Sequence, residues 1–345
     1  MVELYSIHES EQWDECVERF AQWDVYYLSG YVKAFHTHGD GDPYLFYYDK
    51  DGLRALYVYM RRETEIKGVY DSITPYGYGG VLFEGDMSED RLAAFWDAFV
   101  HKMNEEHIVD NFVRYHPVLK NAVPMKAVSN VIDMGKTVAI DLDSPEVIWD
   151  NIISKNRNMI RKAEKNGIKI YHGKSLELLE EFRRIYNRTM ENVQAEEYYF
   201  FEPAFYESMY KDLADNFEVF YAVLEGKKIA MSIMLYGNHQ MHYHLSGSLL
   251  EYRNLAPSNL LLYQAALWGY EHGFKTFHLG GGVGSEDDNL YKFKAAFNKK
   301  SDYHFSIGKE IFDQKMYDEL VKKRLKSDLQ FDVNSSYFPV YRSLH

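Results

Sequence analysis

The feature that most constrains this chain is an order of elements that occurs twice. In the first half, PYLFYYD (43 to 49) and LRALYVYMR (53 to 61) alternate or run apolar like strands, and the intervening Asp-Lys-Asp-Gly reads as a hairpin turn. The Gly-rich segment ITPYGYGGVLF (73 to 83) follows, then SEDRLAAFWDAFVHKMNEEH with an N-cap serine, early acids and helical apolar spacing, then the strand-like IVDNFVRYHP. In the second half, NFEVFYAVLEGKKIAMSIMLYG makes another hairpin around Glu-Gly-Lys, and QMHYHLSGSL supplies a third strand. LAPSNLLLYQAALWGYEHG reads as a helix beginning near Pro257 and Ser258 and stopping at Gly273, ahead of the strand KTFHLGG. Hairpin, further strand or loop, helix, strand, repeated, describes a tandem duplication. Each half is an α+β sheet whose centre can splay open to admit an acyl chain.

The chain has 345 residues, 46% of them hydrophobic, and only 8 prolines, enough for one large or two medium packed domains. No low-complexity tract divides it, so the expected domains are 1–143 and 144–310, with a tail at 311–345 that packs back on the first. The N-terminus is charged and no long apolar run exists, which predicts neither a membrane span nor a signal peptide and a cytoplasmic protein. The single Cys16 lies in a helical pattern and makes no internal disulfide, consistent with a reducing compartment. A net charge of -13 argues against a protein that coats duplex DNA.

Against that acidic background, SPEVIWDNIISKNRNMIRKAEKNGIKIYHG (144 to 173) concentrates positive charge at the junction of the repeats. Arg157, Arg161 and Lys165 recur every four residues on one helix face, and an arginine fork suits a phosphate or carboxylate. The glycines at 280 to 282 lack the flanking chemistry of a phosphate loop, and the consecutive acids Glu286, Asp287 and Asp288 lack the alternation of a calcium loop. What remains is a strand end, Gly280 and Gly281, that admits close approach, with Tyr291, Lys292 and Lys294 beside it. His242 and His244 alternate in HYHLSGS and should share a strand face that Ser246 and Ser248 continue. No third metal ligand has a recognisable spacing, so no metal is expected. RNLAPSN at 253 to 259 opens a helix whose free amides attract anions, with Asn259 in its first turn.

KNRNMIRKAEKNGIKI, the later LAPSNLLLYQAALWGYEHGFKTFHLGGG, the terminal YKFKAAFN and TPYGYGG together resemble the FemABX family of aminoacyltransferases, within the FemAB-like branch of the GNAT acyltransferase superfamily. The resemblance runs from about residue 70 to 300. It implies two tandem GNAT-like domains with mixed, mostly antiparallel sheets flanked by helices. It also implies transfer of an acyl or aminoacyl group to an amine, without a tightly bound cofactor. In the aminoacyltransferases the donor is an aminoacyl-tRNA and the acceptor a peptidoglycan precursor; relatives in polysaccharide gene clusters act on other precursors. Two family features are absent here: the long helical hairpin that holds tRNA, and the Gln/Arg-x-x-Gly-x-Gly/Ala pyrophosphate loop of the coenzyme A-dependent members, of which RNLAPSN is a partial analogue. The donor therefore stays open between aminoacyl-tRNA, whose acceptor end is then a partner, and acyl-CoA. The acceptor is an amine of a cell-wall, amino-sugar or polysaccharide precursor.

Such a reaction needs orientation of the amine, a route for its proton and stabilisation of the tetrahedral oxyanion. The expected assignment gives orientation to Tyr76, Gly77, Tyr78, Arg157 and Arg161. Lys292, Lys294 and nearby amides receive the oxyanion or phosphate, and His244 accepts the proton. His242, Ser246, Asn259, Gly280, Gly281 and Tyr291 line the substrate. The alternative expectation is a non-catalytic protein of the same fold that recognises a glycan or peptide through its tyrosines.

Overall fold

A computed structural model describes residues 1–282 and 287–343 of the chain. It divides into two compact units, residues 1–134 with 305–345, and residues 135–304. The divisions fall within strands, at 134/135 and 304/305, where the sequence reading placed breaks at 143/144 and 310/311. A strand carries no compositional mark of a boundary, whereas the helix start at Ser144 and Pro145 does.

In the first unit the strands are β1 (Val2–Ser6), β2 (Asp42–Lys50), β3 (Leu53–Glu63), β4 (Tyr70–Ile73), β5 (Leu82–Gly85) and β6 (Ile108–Arg114). The helices are α1 (Ser10–Glu18), α2 (Ser29–His38), α3 (Glu89–Glu105), α4 (Ala122–Met125) and, from the C-terminal segment, α11 (Gln314–Ser327). The β2–β3 hairpin turns at Asp51 and Gly52, both at positive φ, as the Asp-Gly pair demands. Parallel pairing of β4 with β6 follows the α3 crossover, and Ile307–Ile311 of β13 (Tyr303–Ile311) adds antiparallel to β6. Phe95, Phe99 and Met103 recur on one stripe of α3 and pack with Phe46, Tyr57 and Val113 of the sheet.

The second unit repeats this order. Its strands are β7 (Val131–Asp141), β8 (Lys169–Gly173), β9 (Phe217–Leu224), β10 (Lys227–Gly237), β11 (Gln240–Ser248) and β12 (Thr276–Gly280). Its helices are α5 (Pro145–Asn151), α6 (Ser154–Lys165), α7 (Leu176–Asn192), α8 (Pro203–Asp212), α9 (Pro257–Glu271) and α10 (Asn289–Ala295). Residues of β7 from Val138 onward pair antiparallel with β12, and β12 pairs parallel with β11. The expected fold class, tandem α+β domains of mixed, mostly antiparallel sheets flanked by helices, is the one observed.

β11 and β12 pair only at Gln240–Thr276, Met241–Phe277 and His242–His278, although β11 runs on to Ser248. The sheet of the second unit therefore opens beyond His242. α9 lies against one face of it, where Leu261, Leu262, Ala265 and Ala266 meet Met241, Phe277 and Ile140 in the core. Burying each of the leucine, isoleucine, methionine and phenylalanine side chains contributes about 2 kcal/mol, and each alanine methyl less than half of that. Because α9 is apolar nearly all round, it is a buried crossover and not a surface helix. Pro257 is its first residue, as expected, and the capping position before it is Ala256, which takes φ 59° and has no side-chain capping bond.

Candidate active site

The end of β12 in the second sheet brings together Gly280, Gly281 and Lys294 of the residues singled out from sequence. β12 ends at Gly280, at φ 81°, and a Cβ on Gly281 would stand 3.0 Å from the Lys136 carbonyl oxygen. The strand end is therefore glycine because backbone passes it closely. Asp288 caps α10 by accepting from the Tyr291 amide at 2.7 Å. Lys294 on α10 is buried, and its Nζ donates to the Gly281 carbonyl at 2.7 Å. Burial pulls its ammonium down to about 8, and the Asp288 carboxylate opposes that pull. Lys292 stands two residues away on the exposed side of the same helix. The expected pair of lysines is thus split, because residues two apart on a helix do not face the same way. Glu286, the first of the three consecutive acids, lies outside the described residues.

The strand carrying the histidines is bulged. Tyr243 pairs with Met234 and Leu245 with Ile233, which leaves His244 as an extra residue in β11. The bulge breaks the alternation on which the shared face of His242, His244, Ser246 and Ser248 rested. His242 is fully buried and pairs with His278 across β11–β12, their rings 5.7 Å apart. Ser246 pairs with Ser232 and interacts with the Tyr243 hydroxyl, on the opposite face from His242. Burial, with the neighbouring His242, pushes the His244 imidazole down to about 3, so it is neutral across the ordinary working range.

The basic helix is anchored on an aromatic ring. Arg157 and Arg161 lie 5.9 and 5.0 Å from the Trp149 ring centroid, and Trp149 in turn packs against Tyr263 of α9. Arg161 is exposed and Arg157 partly so. Asn259 is occupied internally: its Nδ2 donates to Asn156 Oδ1 at 2.6 Å, and the buried Asn156 donates to the Ala296 carbonyl at 3.3 Å. One asparagine pair thereby ties the starts of α6 and α9 to the end of α10. Sequence reasoning passed over Trp149 and Asn156, since a lone aromatic near the end of α5 and an amide in the first turn of α6 carry no spacing signal.

In the first unit, Tyr76, Gly77 and Tyr78 form a packed turn after β4. Gly77 has φ 92°, and a Cβ there would stand 2.6 Å from Tyr26. Tyr76 stacks on Phe35 with centroids 5.4 Å apart, and Tyr78 meets Phe305 edge-on at 5.6 Å. Burial raises the Tyr78 phenol while the Arg114 guanidinium lowers it. Beside them His116 Nε2 and Asp24 Oδ2 lie 2.9 Å apart, both fully buried, a pairing with no signature in the sequence.

Residues 154–294 match the family model described as an acetyltransferase (GNAT) domain, an interval that opens with α6 and closes on Lys294. A UDP-N-acetylmuramoylpentapeptide-lysine N(6)-alanyltransferase from Weissella viridescens is 28% identical over 177 residues, covering 49% of this chain and 50% of that protein. The crystal structure of FemX superposes with a TM-score of 0.71 at 14% identity, over 92% of this chain and 99% of FemX. The chain shares its fold with FemX, and its residues 154–294 carry a GNAT-type domain. A conserved protein from Bacteroides thetaiotaomicron shares the fold at a TM-score of 0.61 and 10% identity, over 90% of this chain and 99% of its own. The chain spans about half the length of the curated alanyltransferase in that alignment. Among its described residues no helix is long and apolar enough to cross a membrane.

Proposed function

We propose that this protein acts as a FemABX-type enzyme and transfers an aminoacyl group from an ester donor to an amine on a peptidoglycan precursor. The observation that carries the reading is the buried ammonium of Lys294 fixed at the end of β12, where the second sheet opens. The amine attacks the donor carbonyl, a C–N bond forms, the ester C–O bond breaks, and the amine proton ends on the released hydroxyl. A positive charge held in a dry, fixed position stabilises the oxyanion of the intermediate and supplies a proton to the leaving oxygen. His244 is a poor proton acceptor near neutral pH because its imidazole is pushed so low, so this reading gives it a hydrogen-bonding part.

The choice of an aminoacyl ester over acyl-CoA is supported by the entry to α9. Pro257 provides no N–H at the first helical position, and Ala256 places a side chain where the coenzyme A-dependent loop has glycine. The anionic part of the donor falls to Arg157 and Arg161, held on Trp149, which suits the acceptor end of a tRNA. The named activity of the Weissella viridescens relative, alanyl transfer to the N6 of a lysine in a UDP-N-acetylmuramoylpentapeptide, supports the same acceptor class.

The test is incubation with charged tRNAs and, separately, acyl-CoAs in the presence of UDP-linked muramoylpeptides that carry a free amine, with the product read by mass. A tRNA-dependent mass increase on the peptide amine is expected. Transfer from acyl-CoA alone would overturn the donor assignment, and binding of the peptide without transfer from any donor would leave a recognition protein.

A further inference from the structure

In the first unit, away from the residues assigned above, two buried carboxylates meet. Between Tyr70–Ile108 and Ser72–Asn111 the parallel pairing of β4 and β6 slips, so that Val109 and Asp110 together stand opposite Asp71. Both acids are fully buried. The C-terminal turn closes over them: the Tyr341 hydroxyl is 3.0 Å from Asp71 Oδ2 and 2.6 Å from Asp110 Oδ2. Asp71 also accepts from Arg62 Nε at 2.6 Å and from Arg342 Nε.

A phenol carries one hydrogen, so it donates to one carboxylate and not to two. The second short oxygen–oxygen contact needs a proton of its own. Asp71, bonded to two guanidinium groups, is the anion and takes the Tyr341 hydrogen. Asp110 makes no ion pair among the described residues, and its Oδ1 is buried with no hydrogen-bond partner there. That arrangement fits a neutral acid, whereas an ionised carboxylate so placed would be costly.

We propose that Asp110 is protonated in the folded protein and that its proton, donated to the Tyr341 oxygen, fastens the C-terminal turn at 339–343 onto β4 and β6 as a pH-sensitive latch. The titratable and charged groups facing Asp110 are Asp71 on β4, Arg62 on β3, Tyr341 and Arg342 of the turn, and Tyr317 of α11, with Tyr337 near Arg62. Burial first and the Asp71 charge second push the Asp110 carboxyl up to about 8, against the pull of Tyr341, Arg62 and Arg342. When the turn lifts, Asp110 meets water and returns toward the ordinary carboxyl range of about 4. The closed state therefore binds the extra proton between those values. Its hold is complete in acid, weakens as pH rises toward 8, and changes no further above that. β4 runs directly into the Tyr76 turn and β6 into Tyr115 and His116, so the latch sits on the strands that carry those residues.

The experiment is hydrogen exchange of the amides at 340–343 in the full-length protein from pH 5.5 to 9, corrected for intrinsic exchange chemistry. Protection should fall by up to about tenfold per pH unit below 8 and then level off. Asp110→Asn, which keeps a donor to Tyr341 without an ionisable proton, should remove the pH dependence and leave the turn at least as protected as wild type at pH 8. Flat wild-type protection, or an Asp110→Asn turn that exchanges faster at pH 8, overturns the latch. The carbon-13 shift of the Asp110 carboxyl in the wild-type protein is the independent check. It should report the acid form at pH 6.5, and an ionised carboxylate there would refute the proposal even if the variant did not fold.

Discussion

Lys294 Nζ and the Gly281 carbonyl oxygen lie 2.7 Å apart, and this bond joins a buried ammonium on α10 to the end of β12. One hydrogen bond thus sets the position of a charge that the helix alone would leave free to swing.

Lys294→Met should lower kcat for aminoacyl transfer by about 10²- to 10³-fold, the usual loss of one oxyanion donor, with little change in KM. Stability follows from the sign of its shift. With the ammonium held down to about 8, the unfolded chain binds the extra proton between there and its ordinary range, so wild-type stability rises with pH across that window. Denaturant titrations at pH 8 and 10 should show this slope in the wild type and its absence in Lys294→Met. Transfer itself should decline above pH 8 as the ammonium is lost.

His244 makes the opposite end of the pH range informative. Its imidazole is depressed to about 3, so the unfolded state takes up a proton first as pH falls below about 6.5, and stability is lost through that window at up to about 1.4 kcal/mol per pH unit. Urea midpoints of wild type and His244→Gln, compared at pH 7 and 5, should converge in acid. If both variants lose stability equally, the residue is not buried as a neutral ring.

Trp149→Ala should weaken binding of charged tRNA by a factor close to that of Arg161→Ala, although tryptophan bears no charge, because the ring holds both guanidinium groups. A cation over an aromatic face is worth about 0.5 to 2 kcal/mol. Affinity measured against salt should fall less steeply in Arg161→Ala, whereas Trp149→Ala should keep more of the wild-type slope.

Asn156→Ala should cost roughly 1 to 3 kcal/mol, since it strands the Asn259 amide and the Ala296 carbonyl at a buried junction. A thermal melt checks the size, and transfer assays on the folded fraction should show a lowered kcat if α10 and its Lys294 shift with the junction.

The duplicated order of elements was legible because period-two and helical patterns report one face of one element at a time. The β2–β3 turn at Asp51-Gly52 and the stop at Gly273, φ 79°, follow from local backbone chemistry that the residues declare directly. The candidate site was legible only as a list. His244 looked like the partner of His242 by alternation, and a single bulged residue removed Ser246 from that face. Lys292 and Lys294 looked like a pair, and helical geometry parted them.

By itself the sequence determined the fold class, the resemblance to FemABX transferases and the residue types from which a site can be built, because periodicity, turn chemistry and motif order are local properties. Only the tertiary structure decided which lysine is buried, which ring holds the arginines, and that Asp71 and Asp110 meet beneath Tyr341. Those outcomes depend on strand register, bulges and contacts between residues as far apart as Asp71 and Tyr341. Burial and charge at such contacts are set by packing and not by spacing along the chain.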